Sequence, residues 1–467
     1  MQLNPRKLGT IAAGLSALSA NLLSANAAQA ETVADATANA PHAPGLMTEG
    51  APEPGSFLVD TSVLFYQEAG GRVTAVEPVI NVVDNLLNGS VINGSFTYDS
   101  LTGATPNGAT PATGPQTFTQ IIKVATSTTQ VTSTGASGGS TVTTIPGTAT
   151  ATSTYSTAAG RTPLAAFHDH RYAGNLGFSW LSDPDTRFKV GAAVSVERDY
   201  ATYSVNAGVS HDLFQKNTTV ALSLNIEQDE SQPYNGTPNG FQNLNSLITN
   251  GNDHKTVANV IVGLTQSLTR FWLTQLNYNY STSSGYQSDP YRVLSVVDSA
   301  TGAALSYLYE NRPRDRARHS VYWGNKLALG PTVADVSLRY YHDTWGINSI
   351  TAEVSEQVPI THNSYIKPLF RYYHQGAANF FRNYLVSGAT LPQYASSDSR
   401  LGRFNATTIG ARYGIRLMED SELYVQAEDY RQTGTHYVAG APGALANLDL
   451  FSGVHAISVM TGFKVKM

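Results

Sequence analysis

Along residues 457–467 apolar and polar positions take turns. Ile457, Val459, Thr461, Phe463, Val465 and Met467 fall on one face, and Ser458, Met460, Gly462, Lys464 and Lys466 on the other. A period of two is that of a β-strand, and a strand with one greasy and one wet side separates two solvents. The same alternation recurs upstream. Phe188, Val190, Ala192, Val194 and Val196 oppose Lys189, Ser195 and Glu197, while Val220, Leu222, Leu224 and Ile226 oppose Thr219, Asn225 and Glu227. Since the charges share the wet side, the apolar set is predicted to face lipid and the charged set a water-filled interior.

Reading this pattern from Phe57 onward gives a run of strands. Phe57–Tyr66 turns at Gly70-Gly71 into Arg72–Val82, and a short third strand is expected at Ser95–Ser100. Leu101–Phe167 then reads as one irregular loop, because its run from Ala125 to Tyr155 is mostly Thr, Ser, Gly and Ala. Strands follow near 168–180, 186–198, 202–212, 218–230, 255–267 and 271–283. Six more lie near 316–328, 333–345, 349–358, 365–376, 403–417 and 421–432, before the terminal one. The sum is about sixteen. The connections sort by length, short on the side of both termini and mostly long on the other, the short exceptions being 69–71, 199–201 and 346–348. Such sorting, with an even strand count, is expected of an all-β, transmembrane, antiparallel up-and-down barrel with short periplasmic turns and long extracellular loops.

Composition sharpens this picture. Of 467 residues 13% are charged, the net charge is −5, and cysteine is absent, so disulfides and Cys-based metal sites are excluded and nucleic-acid binding is disfavoured. Tyr, at 25, outnumbers Phe and Trp, as suits rings lying between lipid and water. Arg6 and Lys7, the apolar stretch Leu8–Leu23 and the small-residue site Ala28-Gln29-Ala30 read as a signal peptide over residues 1–30. Residues 31–56 read as a flexible periplasmic leader and 57–467 as the barrel.

Candidate chemistry is confined to the wet faces. The lumen-lining candidates are Lys189, Glu197, Glu227, Arg339, Tyr341, Glu353, Lys367, Arg371, Tyr373, Arg412, Arg416 and Glu428. Arg-Tyr-Tyr-His occurs twice, at Arg339–His342 and Arg371–His374, on strands running the same way. Two readings compete: a basic, Tyr-lined constriction joined by Arg412 and Arg416, or a salt-bridged interior balanced by Asp335, Glu353 and Glu428. His168 and His170 put two imidazoles on one face near the outer rim, but no third metal ligand is identifiable. Adjacent His319 and Ser320 face opposite sides of their strand, so they form no nucleophile–base pair, and no enzyme is expected.

Several strings resemble a known family. Glu77-Pro78-Val79, Ser100–Ala109, Ser288–Val293, Tyr309–Pro313 and Arg318-His319 are similar to those of an uncharacterised envelope family labelled domain of unknown function 3570. The resemblance implies an outer-membrane barrel of a Gram-negative bacterium with no catalytic residue to transfer. It also implies a neighbourhood of envelope flavin-attachment proteins and small lipoproteins, and through them a redox or metal-handling system. The expected partners are outer-membrane lipid and lipopolysaccharide, the barrel assembly machinery, and periplasmic or lipoprotein components. No cofactor is called for.

Overall fold

The computed structural model describes residues 54–134 and 139–467, so the expected signal peptide and most of the leader lie outside it. The first barrel strands are β1 (Ser56–Glu68), β2 (Thr74–Asn85) and β3 (Val91–Pro106). The chain then leaves the wall for a hairpin, β4 (Gln116–Thr134) and β5 (Gly139–Thr157). It returns in β6 (Leu164–Asp183), β7 (Thr186–Val196), β8 (Tyr200–Leu213), β9 (Thr218–Ser231), β10 (Asp253–Thr269) and β11 (Trp272–Gly285). Two short strands outside the wall follow, β12 (Val293–Val297) and β13 (Ala304–Tyr309). Next come β14 (Asp315–Leu329), β15 (Thr332–Asp343), β16 (Asn348–Pro359) and β17 (Ser364–Gln375). After β18 (Leu385–Val386), outside the wall, the chain closes with β19 (Phe404–Met418), β20 (Ser421–Gly434) and β21 (His455–Lys466).

Sixteen of these strands form a closed barrel in chain order. β21 pairs antiparallel with β1 from Leu58↔Lys466 to Glu68↔Ala456, so no edge is left. Outward positions carry the apolar set: Val190 is 45% exposed, Ile226 59% and Phe463 39%, while inward Glu227 and Met460 are buried. An encircling band of exposed aliphatic and aromatic side chains suits hydrocarbon rather than water, so the barrel spans a membrane.

The turns explain the register. Two-residue connections at 184–185, 270–271, 330–331 and 419–420 join strands at one end. At the other end Gly70 and Gly71, with φ of 77° and 69°, make a left-handed tight turn that an L side chain would strain. At that end the connections 197–199 and 344–347 are also short, and the other five are long, at 107–163, 232–252, 286–314, 376–403 and 435–454.

The long connections depart from expectation. The third strand runs Val91–Pro106 rather than Ser95–Ser100, because β6 pairs with it as far as Pro106↔Leu164. Residues 101–167 are therefore not one irregular loop: their ends belong to the wall, and Gln116↔Thr157 to Thr134↔Gly139 is an unbroken ladder. Runs of Thr can pair as a ribbon through the backbone even when they have little apolar surface to bury. The sequence pattern had no signal for β12, β13 and β18 either. These form a three-stranded sheet outside the wall, with β12 antiparallel to β13 and parallel to β18.

Candidate functional site

Five long loops meet at one mouth of the barrel and fold together. Phe118 at the base of the β4–β5 hairpin is fully buried against Leu244, Ile248, Val293 and Tyr309, which come from two other loops. Leu294, Leu385 and Ala395 form a second apolar cluster, and Val297, Ala441 and Leu445 a third. Arg72 in the 69–73 turn donates to the carbonyls of Ser452 and Gly453 at 3.3 and 2.8 Å, which fastens the last loop to the rim. The result is an ordered cap.

Its polar centre is a network of three acids and three arginines. Arg312 lies 2.6 Å from Glu310 and 2.8 Å from Asp398. Arg292 pairs with Asp289 at 3.1 Å, and Arg400 reaches both Asp398 and Asp289, the latter at 3.2 Å. Asp398 and Glu310 have almost no exposed surface. Burial alone would raise the Asp398 carboxyl, but Arg400, Arg292 and Arg312 outweigh it and hold it well below the usual carboxylate range. For Glu310 burial wins over Arg312, and its carboxyl is pushed up. With equal numbers of each sign and hydrogen bonds from Ser396 and the Asp289 amide, the network is close to self-neutralising.

The family-marker strings supply most of it. Asp289 and Arg292 come from Ser288–Val293, and Glu310 and Arg312 from Tyr309–Pro313. The third string joins through its backbone: Arg292 donates to the Pro106 carbonyl, and the Val293 amide to Asn107 O at 2.8 Å. Sequence reasoning missed Asp398 and Arg400. The available signal was local: Asp398, Arg400 and Arg403 fall within six residues of a loop otherwise nearly free of charge.

Below the cap, the lumen candidates separate into ion pairs and single groups. Arg371 meets Glu353 at 2.5 Å, and Lys367 meets Asp335 at 2.8 Å, with Lys326 a further 3.4 Å from the same carboxylate. Arg412 donates to Gln426 at 2.9 Å with its guanidinium 4.5 Å from the Tyr424 ring centre, and Gln426 in turn donates to Glu428. Arg339 lies over Tyr322 at 5.7 Å. Tyr341 donates to Asp343 at 2.7 Å and Tyr373 to Gln375 at 2.6 Å. Lys189 is half-buried on the inward face of β7, and Glu227 is buried on that of β9. Glu197 sits in the turn just past β7 rather than within the strand, and Arg416 is exposed near the short-turn end. The four arginines are thus not brought together as a bare positive ring. The arrangement is that of a salt-bridged wall.

The outward halves of the repeated motif make a rim. Tyr340 and His342 both reach Asn348 Oδ1, at 3.1 and 2.8 Å, and Tyr372 and His374 both reach Asn405 Oδ1, at 3.1 and 2.7 Å. His168 and His170 also stand outside, bonded to Thr102 at 2.7 Å and Tyr98 at 2.8 Å, because Arg171 beside them turns inward to Asp99. Their rings are 4.6 Å apart, edge to face. Among the described residues no group of three His, Cys, Asp or Glu side chains could hold a metal.

A sealed sheet with a lipid-facing band, a polar lumen and an ordered mouth defines a transmembrane β-barrel protein. The chain belongs to the family described as "Protein of unknown function (DUF3570)", which matches residues 22–465. No curated protein sequence matches it. Among solved structures it is similar to a bacterial polysaccharide outer membrane secretin, at 8% identity over 89% of this chain and 100% of that one, with a TM-score of 0.41. It is also similar to the toluene transporter TodX of P. putida, at 10% identity over 89% and 91%, with a TM-score of 0.36. A ferric enterobactin receptor mutant of Pseudomonas aeruginosa aligns at 10% identity over 87% of this chain and 59% of its own length, with a TM-score of 0.38.

Proposed function

We propose that this chain is a conduit in the outer membrane of a Gram-negative bacterium, exported by its first thirty residues, with its outer mouth held shut by the folded cap. It works as a gated pore or transporter and not as an enzyme. Its lipid-facing band is matched to outer-membrane lipid and lipopolysaccharide, it reaches the membrane through the barrel assembly machinery, and any lipoprotein or periplasmic partner docks at the short-turn end. The observation that carries this reading is the buried network of Asp289, Arg292, Glu310, Arg312, Asp398 and Arg400, which ties two loops together across the mouth. A barrel open to free diffusion has no use for so many desolvated charges above its lumen, whereas a closure that must hold and then release has.

Conductance in planar bilayers tests it. The intact protein is expected to be silent or to open rarely, and Arg312→Ala with Arg400→Ala to give frequent, larger openings from a barrel that remains folded by its heat-shifted gel mobility. A steady full conductance from the intact chain, or silence from the folded double variant, overturns the closure.

A further inference from the structure

Both sides of the lumen carry inward ion pairs, Arg171–Asp99 and Lys255–Asp229 on one and Lys367–Asp335 and Arg371–Glu353 on the other. From β14 round to β1, inward positions carry the ion pairs and tyrosines described above. From β3 to β11 one continuous rung carries no charge. Register places Asn93 opposite Gly177, Gly177 opposite Gly191, and Gly191 opposite Asn206. The rung continues through Asn225 and Asn259 to Ser281 of β11. All face inward, since their neighbours Val205, Ile226 and Val260 face lipid.

The centre of this rung is unsatisfied. Asn225 is 8% exposed, yet neither its Nδ2 nor its Oδ1 has a hydrogen-bond partner. Within a rung of it, Ser204 Oγ, Ser281 Oγ and Asn279 Oδ1 are likewise buried and unpartnered. Leaving such groups unpaired is costly, so a cluster of them on one wall points to something else that completes them. On the wall from β14 round to β1, Arg371 and Lys367 pair with carboxylates, and Glu428 Oε2 is left buried without a partner.

We propose that the β8–β11 wall is a binding track for a neutral saccharide, with Asn206, Asn225 and Asn259 as its hydrogen-bonding residues. This rests on the conduit reading and names its cargo class. A carboxamide offers a donor and an acceptor without charge, which fits a sugar hydroxyl that also donates and accepts. Adjacent strands lie about 4.8 Å apart, so three cross-strand amides repeat at close to the length of one pyranose unit. Glycines at 177 and 191 keep the neighbouring floor flat: a Cβ on Gly191 would come within 3.1 Å of the Asn206 side chain. In a sixteen-strand ring β9 stands eight strands from β20, so the track lies across the lumen from the Arg412–Gln426–Glu428 wall.

The test is equilibrium dialysis of the whole protein in an amine-oxide detergent, using maltohexaose, and an oligogalacturonate of equal length as the charged control. Saturable binding of maltohexaose, weakened at least tenfold by Asn225→Leu and by Asn259→Ala, is expected, with the charged oligomer bound at least tenfold more weakly. No saturable binding, equal binding of the charged oligomer, or no loss in either folded variant overturns the proposal. Repeating the dialysis on Arg312→Ala with Arg400→Ala removes the cap as an obstacle. A cap-breached barrel that conducts ions but binds no saccharide defeats the track alone, whereas a silent one defeats the conduit.

Discussion

Asp398 and Glu310 lie 88 positions apart in sequence and share one arginine; burial raises both carboxyls, but only at Asp398 do the surrounding arginines outweigh it. A carboxylate whose folded pKa is depressed contributes stability above its ordinary range and loses it only when pH falls through the depressed value. Asp398 is of that kind. Glu310, with its carboxyl raised, binds a proton more readily folded than unfolded, so falling pH in that window favours the closed cap. Between pH 7 and pH 5 the cap is therefore expected to hold or tighten. Limited proteolysis of the 286–314 and 376–403 loops should be as slow at pH 5 as at pH 7, and a cap that is cut severalfold faster at pH 5 contradicts this balance.

At the scale of the element, each wall strand is decided by which side meets hydrocarbon. Val190 of β7 is lipid-facing and Lys189 beside it is not, although the two are neighbours in sequence. Val190→Lys should cost about 2–4 kcal/mol if it lies near the midplane. An inward change such as Ala193→Ser should stay within roughly 0.5 kcal/mol. Urea unfolding in lipid vesicles, followed by tryptophan fluorescence, measures both, and equal costs would mean that the faces are reversed. The β4–β5 hairpin obeys another rule. A two-stranded ribbon is marginal alone, and this one is fastened at its base, where Phe118 stacks on Tyr155 and Gln116 donates to Tyr307 at 3.0 Å.

For the whole molecule the question is how charge is distributed around the ring. Arg371 is matched by Glu353 and Arg412 lies against a neutral amide, so the lumen has no strong sign of its own. In the cap-breached background, Arg371→Glu with Arg412→Glu leaves Glu353 and Glu428 unopposed and should raise the cation-to-anion permeability ratio severalfold. Reversal potentials in a salt gradient read this directly, and an unchanged potential would remove both residues from the ion path.

Much of this was legible in one dimension. Alternation at residues 188–196, 220–227 and 457–467 set the strand faces, and loop lengths sorted the connections between the two ends of the barrel. A period of two is a local consequence of backbone pleat and of the two solvents on either side. The paired Arg-Tyr-Tyr-His strings likewise announced which residues point inward. The partners of those arginines could not be read, because Arg371 meets Glu353 through register across strands and not through spacing along the chain.

The sequence by itself therefore determined the wall: its strands, their faces and their count, since each follows from local pattern. Only the tertiary structure decided the cap and the unpaired amides of the lumen. Asp289, Glu310 and Asp398 are distant along the chain and become neighbours only when five loops close over one mouth. Asn206, Asn225 and Asn259 become a row only because three strands happen to lie in one register. Long-range contacts of this kind leave no periodic trace, and burial without a partner is a property of the assembled lumen.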